Sequence, residues 1–131
     1  MDSHQSRCSK KFGIKMIPCK QGSFSGISKN QHIYCMHHSG AQAIGIAYFL
    51  GAKKIVLIGY DMGVGKDGKI HWFGNHPKGL RNTPNKYSTW IHHYERLNKD
   101  LKALEIDFVN CSLNTAINSV RRSDLETELI L

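Results

Sequence analysis

The sequence predicts an α/β domain with a mostly parallel sheet. Three observations carry that prediction. Residues 55–58 (Ile55, Val56, Leu57, Ile58) form an unbroken β-favouring apolar run of strand length. A helix-length apolar stretch, Ala41 to Leu50, precedes it, and an amphipathic one, Tyr87 to Leu104, follows it. A further short apolar run, Ile106 to Val109, continues the alternation, and alternating strands and helices are the mark of a parallel sheet.

Taken in order, residues 1–11 read as a helix remnant or a frayed end. Ile14, Met16 and Ile17 favour a short strand that Pro18 ends or places at an edge. Residues 20–32, with Gly22, Ser23, Ser25, Gly26, Ser28 and Asn30, read as a flexible polar loop. Ile33-Tyr34-Cys35-Met36 reads as a strand end, and His37-His38-Ser39-Gly40 as its junction with the first long helix. Ser39 is the expected N-cap, because its hydroxyl can accept a free first-turn N–H. Gly51 stands where a left-handed C-cap is expected. The helix is apolar over most of its circumference, which predicts burial on several sides. Gly45 inside it costs ~1 kcal/mol relative to alanine, so a strand is expected to approach it closely.

Lys53-Lys54 lead into the apolar run, expected to be a central strand buried on both faces. It ends at Gly59-Tyr60-Asp61. Residues 63–84, with Gly63, Gly65, Gly68, Gly74 and Gly79, form a long connection. Connections beyond ~12–15 residues are usually functional or disordered, and the rings of His71, Trp72, Phe73 and His76 favour a substrate loop or lid. Trp90, Ile91, Tyr94, Leu97, Leu101 and Leu104 recur at three- and four-residue steps in the second long helix. Ile106 to Val109 is the next strand. Ser123 and Glu126 have capping-box spacing and open a last short helix. The chain is therefore expected to form one Rossmann-like three-layer domain over 1–131. Three or four strands are few for such a sheet, so the domain is minimal or lacks amino-terminal strands.

Composition narrows the function classes. The 131 residues suit one modest core, and no apolar run reaches the ~20 residues of a membrane span. The first residues are polar, without a signal-peptide core, so a cytoplasmic location is expected. Cys8, Cys19, Cys35 and Cys111 form no C-x-x-C pair and match no zinc module, and are expected to be reduced and structural. Eighteen Lys and Arg against ten Asp and Glu give a net charge of +8, which favours anionic partners such as nucleotides or nucleic acid.

Several places could carry chemistry. The Ser39-Gly40-Ala41-Gln42 turn offers helix amino-terminal N–H groups, a glycine that admits a ligand, and two hydrogen-bonding side chains. The alternative is an ordinary helix start. It is neither G-x-G-x-x-G nor a Walker loop. Gly59-Tyr60-Asp61 closes a strand, where open α/β sheets bind ligands. Asp61 there could hold a ribose hydroxyl, orient a divalent metal or act as a base, or merely cap a turn. His71, Trp72, Asn75 and His76 could stack a ring and move a proton, or pin a loop with buried aromatics. A metal held by His71, His76 and Asp61 is a further option, without any ligand signature. Adjacent His92 and His93 point ~100° apart, so at most one faces a site. Asn110, Cys111 and Ser112 end a strand and border the same crevice, although a Cys111 nucleophile would need a paired base. A small sheet with a free edge also invites homo-oligomers.

Taken together, Ser39-Gly40-Ala41-Gln42-Ala43-Ile44 and the segment from Tyr48 through Leu50-Gly51-Ala52-Lys53-Lys54 to Asp61-Met62 resemble a group of largely uncharacterised phage and prophage proteins. His71-Trp72, Gly74, His76-Pro77, Gly79-Leu80 and Val109-Asn110-Cys111-Ser112 extend the resemblance over nearly the whole chain. It implies that Asp2-Ser3-His4-Gln5 matches a helix after a first βα unit, so that this chain lacks that unit. Residues 39–62 are more distantly similar to the MptE-like 6-hydroxymethylpterin diphosphokinases and to bacterial sialyltransferases using CMP-sugar donors. That similarity implies a nucleotide- or nucleotide-sugar-binding transferase, with His71 or His76 as general base. The alternative is a non-catalytic phage protein that captures a host nucleotide or nucleic acid.

Overall fold

The computed structural model describes residues 13, 17, 19–20, 26–28, 33–36, 38–65, 68–69, 77 and 86–130. Their elements are β1 (Cys19–Lys20), β2 (Ile33–Tyr34), α1 (Ser39–Phe49), β3 (Lys54–Leu57), α2 (Tyr87–Ala103), β4 (Asp107–Asn110), β5 (Arg121–Arg122) and α3 (Leu125–Leu129). The expected helix remnant over 1–11, most of the first expected strand, and His71, Trp72, Asn75 and His76 lie outside the described residues.

All strand pairs among the described residues are parallel, but they make two separate small sheets, β1-β2 and β3-β4-β5. This corrects the expectation of one sheet. Among the described residues no strand bridges β2 and β3, although α1 connects them. In the larger sheet Ile55 faces Phe108 and Leu57 faces Asn110 across the β3-β4 ladder. The strand β3 is not central. It pairs on one side only among the described residues, with Ile55 and Leu57 buried, Val56 half-buried, and Ile58 just beyond it 59% exposed. In the smaller sheet Cys19 and Cys35 form a disulfide, their Cα atoms 5.7 Å apart, within the span such a bond allows. That corrects the expectation of four reduced thiols; Cys111 is free and buried.

Helix α1 lies on β2. Ile33 is the strand neighbour of Gly45, but a Cβ there would sit 3.4 Å from its side chain, an ordinary van der Waals distance, so the approach does not itself require glycine. The helix closes with Gly51 at φ 86°, its N–H on the Tyr48 carbonyl (2.9 Å) and that of Ala52 on Ala47 (3.1 Å). These two bonds satisfy carbonyls that the last turn leaves unpaired. The end of α2 repeats the motif through Glu105 and Ile106, with bonds of 3.1 and 3.0 Å to Lys102 and Leu101. Here the left-handed position, φ 56°, falls on exposed Glu105.

The core lies between α2 and the larger sheet. Tyr94, Leu97 and Leu101 are completely buried against residues that include Ile55, Leu57 and Phe108. Each fully buried leucine contributes roughly 1.5–3 kcal/mol. The expected flexible loop over 20–32 contains an anchored piece. Asp100 of α2 accepts the Ile27 N–H at 2.8 Å, and a side chain at Gly26 would collide with that carboxylate. At the amino end of the sheet, buried Glu128 binds Arg121 (2.6 Å) and Lys54 (2.8 Å), and Arg121 also holds Asp107 (2.9 Å). This clamp docks α3 onto the first residues of β3, β4 and β5. The expected capping box is replaced, since Asp124 is the N-cap and makes no side-chain cap bond.

Two outcomes are expected. Glu105→Gly should raise stability by about 1 kcal/mol in urea unfolding, because an L side chain disfavours the left-handed region. Hydrogen bonds from Arg121, Lys54 and Ser123 hold the Glu128 carboxyl well below the usual carboxylate range. Its folded value lies below its unfolded one, so its contribution is present above about pH 4.3 and fades as pH falls further. The urea midpoint of the native chain should therefore drop more steeply between about pH 5 and 2 than that of Glu128→Gln.

Candidate functional site

Both α1 and the β3-α2 connection begin where β3 ends, and Tyr60 joins them. Its N–H donates to Ser112 Oγ (2.8 Å), its carbonyl accepts from Thr115 Oγ1 (2.6 Å), and its phenol donates to the Gly40 carbonyl (3.2 Å). The loop after β4 is tied just as closely. Asn110 is completely buried, its amide reaching Thr115 Oγ1 (3.2 Å) and its carbonyl oxygen accepting the Ser112 N–H (3.0 Å). The Ala116 N–H completes the seam on the Asp61 carbonyl at 2.8 Å.

Beside this seam lies a cleft of about 330 Å³, lined by Asp61, residues 63–65 and residues 114–116. Two loops at the carboxyl ends of neighbouring parallel strands open into it, the position that open α/β sheets give to ligands. Asp61 is exposed at its rim, and the glycines at 63 and 65 leave backbone accessible. The arrangement can offer a carboxylate, an amide side chain and backbone groups to a polyhydroxy ligand. Asn114 and Thr115 line it beside Asp61 and were not singled out from sequence. Their position four and five residues beyond the strand-end asparagine, Asn110, was the available signal.

The other sequence-selected residues divide. Gly59, at φ 72°, turns the chain out of β3 and is exposed. Asn110 and Ser112 border the cleft as supports, their polar atoms spent on Thr115 and Tyr60. Ser39 is exposed and is the first helical residue; the N-cap is His38, whose Nδ1 accepts the Ala41 N–H at 3.2 Å. Imidazole serves here because its acceptor nitrogen reaches the first turn as a serine hydroxyl would. A Cβ on Gly40 would lie 3.0 Å from the Tyr60 ring and 3.3 Å from the Tyr94 hydroxyl, so packing also demands glycine there. Gln42 is half-buried in the same turn.

Behind α1, the His38 ring stacks among Trp90, His93 and Tyr94 of α2 at centroid distances of 5.1, 5.8 and 5.5 Å. Of the adjacent histidines, His93 thus faces inward, while exposed His92 pairs with Glu95 at 3.1 Å. Burial raises the Tyr94 and Tyr60 phenols, so both stay protonated at neutral pH. Burial also raises the Cys111 thiol, which disfavours the thiolate that nucleophilic attack needs. Among the described residues no group of three metal-ligating side chains gathers, and no helix is long and apolar enough to cross a membrane.

No protein-family model, curated protein or solved structure matches the chain. Ser112→Ala should cost about 1–3 kcal/mol, because the Tyr60 N–H loses its acceptor. Faster hydrogen exchange at the Tyr60 amide than in the native chain is the expected readout.

Proposed function

We propose that the chain is a nucleotide- or nucleotide-sugar-binding, transferase-like protein built on a Rossmann-like plan. The observation that carries this reading is the Asp61-lined cleft at the carboxyl ends of β3 and β4, with the start of α1 one tyrosine away. A carboxylate at a strand end suits a ribose or sugar hydroxyl, and an adjacent helix amino terminus suits a phosphate. Two chemically different halves of a nucleotide thus find complementary groups a short distance apart. The net charge of +8 favours the same anionic class of ligand. Glycosyl or diphosphoryl transfer, with His71 or His76 as base, is carried by the family resemblance. A divalent metal at Asp61 would fit the second of these chemistries.

Calorimetry of the chain against CMP, UDP-sugars, GDP-sugars and ATP tests the reading. At least one is expected to bind. Asp61→Asn should weaken it by about tenfold or more, since a hydrogen bond to a charged group contributes roughly 1.5–3 kcal/mol. Binding by none of them, or equal binding by Asp61→Asn, would overturn the proposal.

A further inference from the structure

The face of α2 turned towards the start of α1 carries polar atoms that the fold leaves unused. Tyr94 is 0% exposed, yet its hydroxyl has no hydrogen-bond partner. One turn earlier, the Trp90 indole N–H is buried in the same condition. A buried polar group without a partner costs roughly 1–3 kcal/mol, so two on neighbouring turns call for an explanation. The Tyr94 hydroxyl is aimed at the first turn of α1, 3.3 Å from where a Gly40 Cβ would stand. Trp90 stacks on His38, the N-cap of that helix.

The first turn is itself incompletely satisfied. The Ala41 N–H is taken by His38 Nδ1 and the Gln42 N–H by the His38 carbonyl, whereas the Ser39 and Gly40 N–H groups have no acceptor among the described residues. No acidic residue occupies that turn to neutralise its positive end. Ser39 is exposed and Gly40 half-exposed, so the turn can be reached from solvent. Among the described residues, the unclaimed donors here are two backbone N–H, one indole N–H and one phenol O–H. Three can only donate, and the fourth can donate. Such a set, beside the positive end of a helix, selects an oxyanion.

We infer that the start of α1 is a phosphate site in which Tyr94 and Trp90 hold the anion together with the Ser39 and Gly40 amides. The inference rests on the nucleotide reading of the neighbouring cleft and gives the phosphate of that ligand its own seat, behind Tyr60. The two tyrosines divide the work. Tyr60 spends its hydroxyl on the Gly40 carbonyl and fixes the turn. Tyr94 keeps its hydroxyl for the ligand.

The test titrates the chain and its Tyr94→Phe and Trp90→Phe variants with inorganic phosphate and, separately, with cytidine and CMP. Phosphate is expected to bind, and each variant should weaken it about tenfold. Tyr94→Phe should unfold no earlier than the native chain, because it deletes a hydroxyl without a protein partner. Cytidine affinity should stay within about twofold in both variants. No phosphate binding, or equal binding by both variants, overturns the site. If cytidine still binds in that case, the cleft reading survives alone. If phosphate binding depends on Tyr94 while cytidine and CMP do not bind, the site stands and the cleft reading falls.

Discussion

Tyr60 is held at its N–H, its carbonyl and its phenol by three different segments: Ser112, Thr115 and Gly40. The rest of the carboxyl end of the fold depends on this. A chain leaving a parallel strand must reverse towards the next helix, and its backbone groups there lose their ladder partners. In this protein the loop after β4 supplies them, and it can do so because Asn110 is buried and pre-shapes that loop through Ser112 and Thr115. The phenol then carries the restraint across to α1. The cleft, the helix start and the Asp61 rim inherit their spacing from a single side chain and its backbone.

This arrangement separates support from contact. Asn110 and Ser112 stand next to the cleft, but their hydrogen-bonding capacity is used within the protein. Asp61, Asn114 and Thr115 form the lining itself. The same division recurs behind α1, where His38 closes the helix while Trp90 and Tyr94 keep buried donors in reserve. A strand-end polar residue therefore has two very different uses, and only its partners distinguish them.

Much of the secondary structure was legible in the sequence. The apolar periodicity of Tyr94, Leu97 and Leu101 located the buried face of α2, and Gly51 marked the end of α1, because both signals arise from local geometry. Gly45 announced a close neighbour, which is Ile33. What the sequence did not disclose depends on distant partners. Whether β3 is central or lateral is decided by which strands lie beside it, and an Ile-Val-Leu-Ile run fits either position. The N-cap moved from Ser39 to His38 because an imidazole nitrogen also accepts hydrogen bonds, a choice made by packing against Trp90 and Tyr94. The anchored Gly26-Ile27 piece looked mobile from composition, since its tether is Asp100, far along the chain. The Asp61 end of β3 was legible as bordering a crevice, whereas Asn114 and Thr115 join its lining only once two strands are paired.

The two ends of the larger sheet are fastened by unlike chemistry. Ion pairs lock α3 at the amino end, while hydrogen bonds from hydroxyls, amides, peptide groups and the Arg122 guanidinium, which donates to the Ser112 carbonyl at 2.7 Å, stitch the carboxyl end. Ionic strength weakens ion pairs more than hydrogen bonds, and within the clamp it reaches the exposed Arg121–Asp107 pair before those to buried Glu128. Salt or acid can thus loosen α3 while the seam around Tyr60 keeps its spacing, so the shape of the cleft between the two carboxyl-end loops is insulated from the surrounding electrolyte.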